Sequence, residues 1–104
     1  MIEETFTHTI SDSDSEVFRQ AADILKTVAH PVRLGIIDFL ETGEKAVTQI
    51  CTRLNAPQPC ISQHLSLMKA KGILASRRNG SSVLYSIAHK NVIKVIHCIR
   101  DHHR

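Results

Sequence analysis

Apolar residues recur at helical spacing along most of the chain, and the pattern predicts five helices. The first three are expected at about 15–28, 31–41 and 47–54. Pro31 suits the first turn of the second helix, and Gly43 lies just beyond its end. The apolar faces of these three helices are predicted to consist of Val17, Phe18, Ala21, Ile24, Leu25, Val28, Val32, Leu34, Ile36, Ile37, Leu40, Val47, Ile50, Cys51 and Leu54.

A fourth helix is expected at about 58–71, after a turn at 55–57. Pro59 can occupy its first turn, and Gly72 closes it. Three apolar residues at i, i+4 and i+7 face inward, namely Ile61, Leu65 and Met68. The opposite face carries short polar side chains and a lysine, namely Ser62, Gln63, Ser66 and Lys69.

The segments ILASRR (73–78) and VLYSI (83–87) read as two strands around the turn-forming pair Asn79-Gly80. A last amphipathic helix, at about 89–102, presents Val92, Val95, Ile96 and Ile99. A short helix, a tight turn and a second helix followed by a hairpin predict a winged helix-turn-helix, mainly α with a small β-hairpin wing. A generic helical bundle with an attached hairpin is the alternative.

The length of 104 residues suits one domain with one core. We expect residues 1–14 to form a flexible acidic segment and residues 15–104 to form the folded domain. The N-terminus lacks the basic and apolar regions of a signal peptide, and no apolar run approaches the roughly 20 residues of a membrane span. Three cysteines at irregular spacing do not form a disulfide framework. These features predict a cytoplasmic protein without a membrane partner.

Charge is distributed unevenly along the chain. Residues 45–100 contain nine Lys or Arg residues and no Asp or Glu, whereas residues 1–23 hold six acids and a single Arg. A solvated surface normally mixes both signs, so the basic stretch indicates a polyanionic partner. An anionic membrane is a weaker candidate because the basic residues are not clustered on one amphipathic helix.

Three segments together resemble one known family. LKTVAHPVRLGIIDFL resembles the opening helices of ArsR/SmtB-type winged-helix repressors, ISQHLSLMKAKGIL their recognition helix, and RRNGSSVLYSI their wing. The similarity covers about residues 20–100. It implies a homodimeric transcriptional repressor that binds double-stranded operator DNA and is released by an effector.

The resemblance assigns residues 58–71 to the recognition helix, which enters the major groove, and residues 75–85 to a wing on the backbone or in the minor groove. Short hydrogen-bonding side chains reach base edges without steric bulk, and lysine and arginine bind phosphates. His64 is expected to pack between helices or face a phosphate. The predicted DNA contacts are Gln58, Ser62, Gln63, Ser66, Lys69, Arg77 and Arg78.

One recognition helix reads few bases, so a dimer is expected, with half-sites about one helical turn apart. The first and last helices are the candidates for its interface, and we expect the aliphatic face of residues 92–99 to meet the second copy. In the turn before the recognition helix, NAPQPC replaces the serines that usually cap that helix in the family.

The effector is predicted to be a metal ion or a thiol signal. The cysteines with which many relatives bind metal at the third helix are absent, since Ala46 fills the aligned position. Candidate ligands for a divalent metal such as zinc lie in the last helix, namely His89, His97, Cys98, Asp101 and His102. The alternative is a polar C-terminus with Cys98 at the dimer seam.

Cys60 is the stronger candidate for a redox sensor, because the first turn of the recognition helix can lower a thiol pKa. Cys51 is the weaker one, since it falls on the core stripe of the third helix. No motif places a nucleophile beside a base, and no Gly-rich phosphate loop occurs, so an enzyme is not expected. A winged-helix protein-interaction module without DNA binding is the alternative function.

Overall fold

The computed structural model describes residues 12–102, and the side chains of residues 14–101 among them. Within this part of the chain the predicted order of helices and hairpin is confirmed. The helices are α1 (Asp12–Val28), α2 (Pro31–Leu40), α3 (Val47–Leu54), α4 (Gln58–Ala70) and α5 (Asn91–His102). The strands are β1 (Lys45–Ala46), β2 (Leu74–Asn79) and β3 (Ser82–Ile87).

Helix α1 begins at Asp12, three residues before its predicted start. Acidic residues are favourable in the first turn of a helix because their negative charge is attracted to the positive end of the helix dipole. Residues 12–14, expected in the flexible acidic segment, are therefore helical. The remainder of that segment, residues 1–11, lies outside the described residues, and the division into segment and domain stays a prediction.

The wing is a three-stranded antiparallel sheet in the order β1-β3-β2. Leu74 pairs with Ile87 at one end of the hairpin and Asn79 with Ser82 at the other. Gly80, with a φ of 65°, is thus the first turn residue, and Asn79 ends the strand instead of entering the turn. Hairpin turns with glycine at this first position fit the twist of the strands.

Strand β1 was not predicted. It consists of two residues that pair with β3, Lys45 with Tyr85 and Ala46 with Leu84. Two residues are too few to show the alternation by which strands are recognised. The strand fixes the start of α3 beside the wing, and the Gln49 side chain accepts the Ala46 N–H at 2.8 Å across the first turn of α3.

The core lies where α2, α3 and α4 meet the inner end of the wing. Ile61, Leu65 and Met68, the predicted inward face of α4, are completely buried. The other fully buried large residues at this centre are Ile36, Ile37, Ile50 and Ile73. The orientation of α4 is therefore set by its apolar face, which leaves the opposite face towards solvent.

The monomer covers the apolar faces of α1 and α5 to different extents. Val17, Phe18 and Leu25 of α1 are 58%, 47% and 49% exposed, as expected of a helix that is a candidate for the dimer interface. In α5 the predicted dimer stripe divides, because Val92 and Ile96 are buried within the monomer while Ile99 is 48% exposed. An amphipathic pattern shows that a face is covered but does not show which partner covers it.

Candidate nucleic-acid interface

A tight turn sets α4 at a fixed angle to α3. Asn55 ends α3 in the left-handed conformation, with φ and ψ of 51°, which asparagine adopts more readily than most residues. Pro57 precedes α4 and Pro59 lies in its first turn. No side chain caps the N-terminus of α4, so the predicted replacement of a serine cap by a rigid turn is confirmed.

The outward face of α4 is polar and carries no acidic residue. Gln58, Gln63 and Ser66 are exposed, and Ser62 is half-buried. Within the described residues, the side chains of these four make no hydrogen bond to the protein. Their donors and acceptors are therefore available to a molecule outside the chain.

The wing is attached to α4 by Lys69, whose Nζ donates a hydrogen bond to Ser76 Oγ at 2.7 Å. The wing tip approaches the other end of α4, where a cleft of about 160 Å³ separates Gln58 from Ser81 and Ser82. Thr48, in the first turn of α3, lines the same cleft. The sequence did not indicate that α3 contributes to this surface. The start of α3 is held beside the wing by strand β1, and that strand was too short to predict.

The two wing arginines differ. Arg77 binds the carboxylate of Glu44 through two hydrogen bonds, with a distance of 3.0 Å from Nε to Oε2. These bonds hold the pKa of the Glu44 carboxyl below its ordinary value. Arg78 is exposed, and among the described residues its guanidinium has no hydrogen-bond or ion-pair partner. Arg78 is the more available cation of the pair.

The separation of charge along the chain is partly lost on folding. Two further basic residues of the acid-free stretch meet acids from earlier helices: Lys71 lies 3.3 Å from Asp23, and Arg100 lies 2.6 Å from Asp38. Residues 45–100 contain no acid, but in the folded protein acidic residues from other segments lie beside some of their basic side chains. Across the side chains that the structure describes, the outward face of α4 and the tip of the wing form no ion pair with a carboxylate.

His64 is a packing residue, one of the two roles expected for it. Its Nδ1 accepts a hydrogen bond from Arg33 Nε at 3.0 Å, and its ring lies 4.6 Å from the ring of His30. Burial is the main cause that lowers the pKa of His64, and the nearby His30 and Arg33 lower it further.

The candidate metal ligands in and just before α5 whose side chains are described do not gather within one chain. Among the described residues no three His, Cys, Asp or Glu side chains lie close enough to hold an ion. His97 contacts Glu41, the residue that follows α2, at 2.5 Å, while Cys98 and Asp101 are exposed. His89 lines a cleft between α1 and α5, with a buried Nδ1 that lacks a partner in the described structure. The His102 side chain lies outside the described residues.

The three cysteines are free thiols in different surroundings. Cys51 is half-buried against the core, as its place on the apolar stripe predicted. Cys60 is half-buried in the first turn of α4, and Cys98 is exposed on α5.

A helix-turn-helix followed by an antiparallel wing defines a winged helix-turn-helix protein. Residues 30–76 match the model of the bacterial regulatory protein arsR family. The chain is 42% identical over 76 residues to the transcriptional repressor PagR of Bacillus anthracis. This match covers 72% of this chain and 76% of that protein. The chain therefore belongs to the arsR family, whose members are transcriptional regulators and not enzymes.

Other relatives agree with this assignment. The chain is 33% identical over 81 residues to the HTH-type transcriptional repressor SmtB of Mycobacterium tuberculosis, covering 78% of this chain but 60% of that protein. The solution structure of the homodimeric winged helix-turn-helix DNA-binding domain Mb0332 of Mycobacterium bovis superposes with a TM-score of 0.75 and 31% identity. That match covers 88% of this chain and 84% of that domain.

In the part of the chain that the structure describes, no helix is both long and apolar enough to cross a membrane.

Proposed function

We propose that this protein is a transcriptional repressor that binds operator DNA as a homodimer in the cytoplasm. Helix α4 enters the major groove, and the wing lies on the backbone or in the minor groove. The observation that carries the proposal is the outward face of α4, where Gln58, Ser62, Gln63 and Ser66 have no partner among the described residues. Polar groups placed this way match the donor and acceptor pattern of base edges.

Several cations support a role in positioning the helix on DNA. Lys69 lies beside the outward face of α4, and Arg78 extends from the wing. Contacts of such residues to phosphates hold a protein in register without reading sequence. Arg77 contributes less to phosphate binding than Arg78, because Glu44 neutralises its charge.

The homodimer is supported by apolar residues of α1 and α5 that are about half exposed in the monomer, namely Val17, Phe18, Leu25 and Ile99. Exposed apolar surface on a small domain favours a protein interface. The Mb0332 domain is itself homodimeric. In a symmetric dimer each copy offers one α4 to successive turns of the duplex.

The repressor is proposed to leave DNA when an effector binds. One candidate is a divalent metal such as zinc, with ligands drawn from His89, His97, Cys98, Asp101 and His102 of both copies. The other is a thiol signal at Cys60, which is supported by its half-buried position on the DNA-reading helix. Cys51 is less suited because it packs against the core.

The test is binding of the full-length protein to a duplex carrying its own promoter region, measured by fluorescence anisotropy at several salt concentrations. Affinity should fall steeply as salt rises, because bound phosphates release counterions. Gln63→Ala should lose about 1–3 kcal/mol of discrimination between the preferred and a substituted base pair. Absence of duplex binding at low salt would contradict the proposal and favour a protein-interaction module.

The same assay separates the effectors. Bound metal is measured in the untagged protein by elemental analysis, and DNA affinity is compared before and after mild oxidant. Cys60→Ser should abolish an oxidant effect, with Cys98→Ser as the matched control. Equal sensitivity of wild type and Cys60→Ser would exclude Cys60 as the sensor.

A further inference from the structure

One arginine connects three helices beneath the recognition helix. Arg33, in α2, donates from Nη1 to the carbonyl oxygen of Thr27 in the last turn of α1 at 2.7 Å. It also donates from Nε to His64 Nδ1 of α4 at 3.0 Å. Thr27 is itself buried, with its hydroxyl donated to the carbonyl oxygen of Asp23 at 2.7 Å. The two bonds of Arg33 therefore join the backbone of α1 to a side chain of α4.

We infer that Arg33 is a positioning residue that fixes the angle of α4 for DNA binding, and that it does so while Nδ1 of His64 is unprotonated. This inference rests on the proposed function, since it assigns the consequence to the helix that reads DNA. It predicts that the affinity for DNA decreases in acid.

The dependence on protonation follows from the geometry of the bond. Nδ1 of a neutral imidazole can accept from Arg33, whereas a protonated Nδ1 is a donor and has no lone pair to offer. An imidazolium at 3.0 Å would also face the guanidinium charge. Protonation therefore replaces an attraction between α2 and α4 with a repulsion.

The groups around His64 offer no compensation for its positive charge. From α2 and its N-cap these are Arg33 and His30, and Nδ1 of His30 already accepts the backbone N–H of Val32 at 3.1 Å. The Asp23 carboxylate of α1, which reaches the C-terminal end of α4, is paired with Lys71 at 3.3 Å. Among the described residues no carboxylate is bonded to His64.

The sign of the pH dependence follows. The pKa of His64 lies below its ordinary value of 6.5, so the contact is complete above about pH 6.5 and is lost as pH falls through the pKa of the folded protein. Ordinary electrostatics predicts the opposite trend, because histidines that gain charge strengthen attraction to phosphates. A loss of affinity in acid is therefore diagnostic.

The experiment measures affinity of the full-length protein for its promoter duplex at pH 8 and pH 5.5 and constant ionic strength. Wild-type Kd should rise in acid, by at most about tenfold per pH unit for each His64 ring below its pKa, and so by at most about a hundredfold per pH unit for the homodimer. His64→Asn keeps an acceptor at the position of Nδ1 without titrating, so its Kd should stay constant or fall. His64→Leu lacks the acceptor and should bind weakly at both values.

His8→Asn is the matched control, because it removes an imidazole from the N-terminal segment and keeps His64; it should retain the loss in acid. If the DNA affinity of His64→Asn decreases in acid as much as that of the wild type, the inference is overturned. A wild type that fails to bind at pH 8 would instead contradict the proposed function. Circular dichroism at both pH values reports whether each variant is folded.

A second measurement does not depend on any variant. The pKa of the His64 ring is followed by NMR in the free wild-type protein and in its complex with DNA. If DNA binding requires the neutral ring, this pKa is lower in the complex, although phosphates by themselves would raise it. An equal or higher pKa in the complex would overturn the inference.

Discussion

Helices α1 and α4 are both amphipathic, yet the monomer buries their apolar faces to different extents. In α4 the inward residues Ile61, Leu65 and Met68 are completely buried, and the opposite face is polar, although Leu67 at the side of the helix is 37% exposed. In α1, Val28 is buried near the C-terminal end, but Val17 and Leu25 remain about half exposed. The two helices therefore present different chemistry to the outside: apolar on α1, hydrogen-bonding on α4.

This difference indicates which kind of partner each helix meets. Apolar surface gains free energy when another apolar surface covers it, so the α1 face suits a second copy of the chain. The exposed face of α4 gains little from apolar contact, because burying its unpaired hydrogen-bonding groups would carry a desolvation cost. A wet, polar surface such as a DNA groove supplies the missing partners.

The largest expected effect comes from placing a charge on the α1 face. Leu25→Asp should dissociate the homodimer, because a buried unpaired carboxylate is costly. Loss of the second half-site should weaken binding to a full operator on the order of 10²–10⁴-fold. Sedimentation and anisotropy measure the two effects. Lys26→Asp adds the same group at an exposed position outside the apolar stripe, and a monomeric Lys26→Asp protein would count against the assigned face.

A second pair of variants compares the two faces of α4. Leu65→Ala should lower the free energy of unfolding by about 2–5 kcal/mol, because it removes a fully buried side chain and leaves a cavity. Ser66→Ala, one residue further, should change it by less than about 0.5 kcal/mol while weakening DNA binding. Urea unfolding gives both values. Similar losses of stability in the two variants would contradict the division between inner and outer face.

Much of the fold could be predicted because it depends on local patterns. The periodicity of Ile61, Leu65 and Met68 identified both faces of α4, and Gly80 marked the hairpin. The same periodicity predicted the apolar face of Val17, Phe18 and Leu25 but not how much of it the monomer covers, since an apolar stripe has the same spacing whether the chain or a second copy covers it.

The parts of the site that could not be predicted depend on contacts between distant residues. Glu44 and Arg77 are 33 residues apart, and Arg33 and His64 are 31 apart. No local sequence pattern predicts such pairs, because they form only when the core brings α2, α4 and the wing together. Residue type identified both wing arginines as candidates, but the contact with Glu44 distinguishes them.

The smallest expected effect concerns single surface charges and compares arginines in the two regions. Arg78→Ala removes an unpartnered cation from each wing, so the slope of log affinity against log salt should become shallower by about 1 per subunit, or about 2 for the homodimer. Arg19→Ala on α1 should leave that slope unchanged, because Arg19 lies on the helix assigned to the dimer and pairs with Glu16 at 3.4 Å. Glu44→Gln should act in the opposite direction to Arg78→Ala, since it releases the charge of Arg77 for a phosphate. Equal slopes for Arg78→Ala and the wild type would remove the wing from the DNA interface, and a shallower slope for Arg19→Ala would extend that interface to α1.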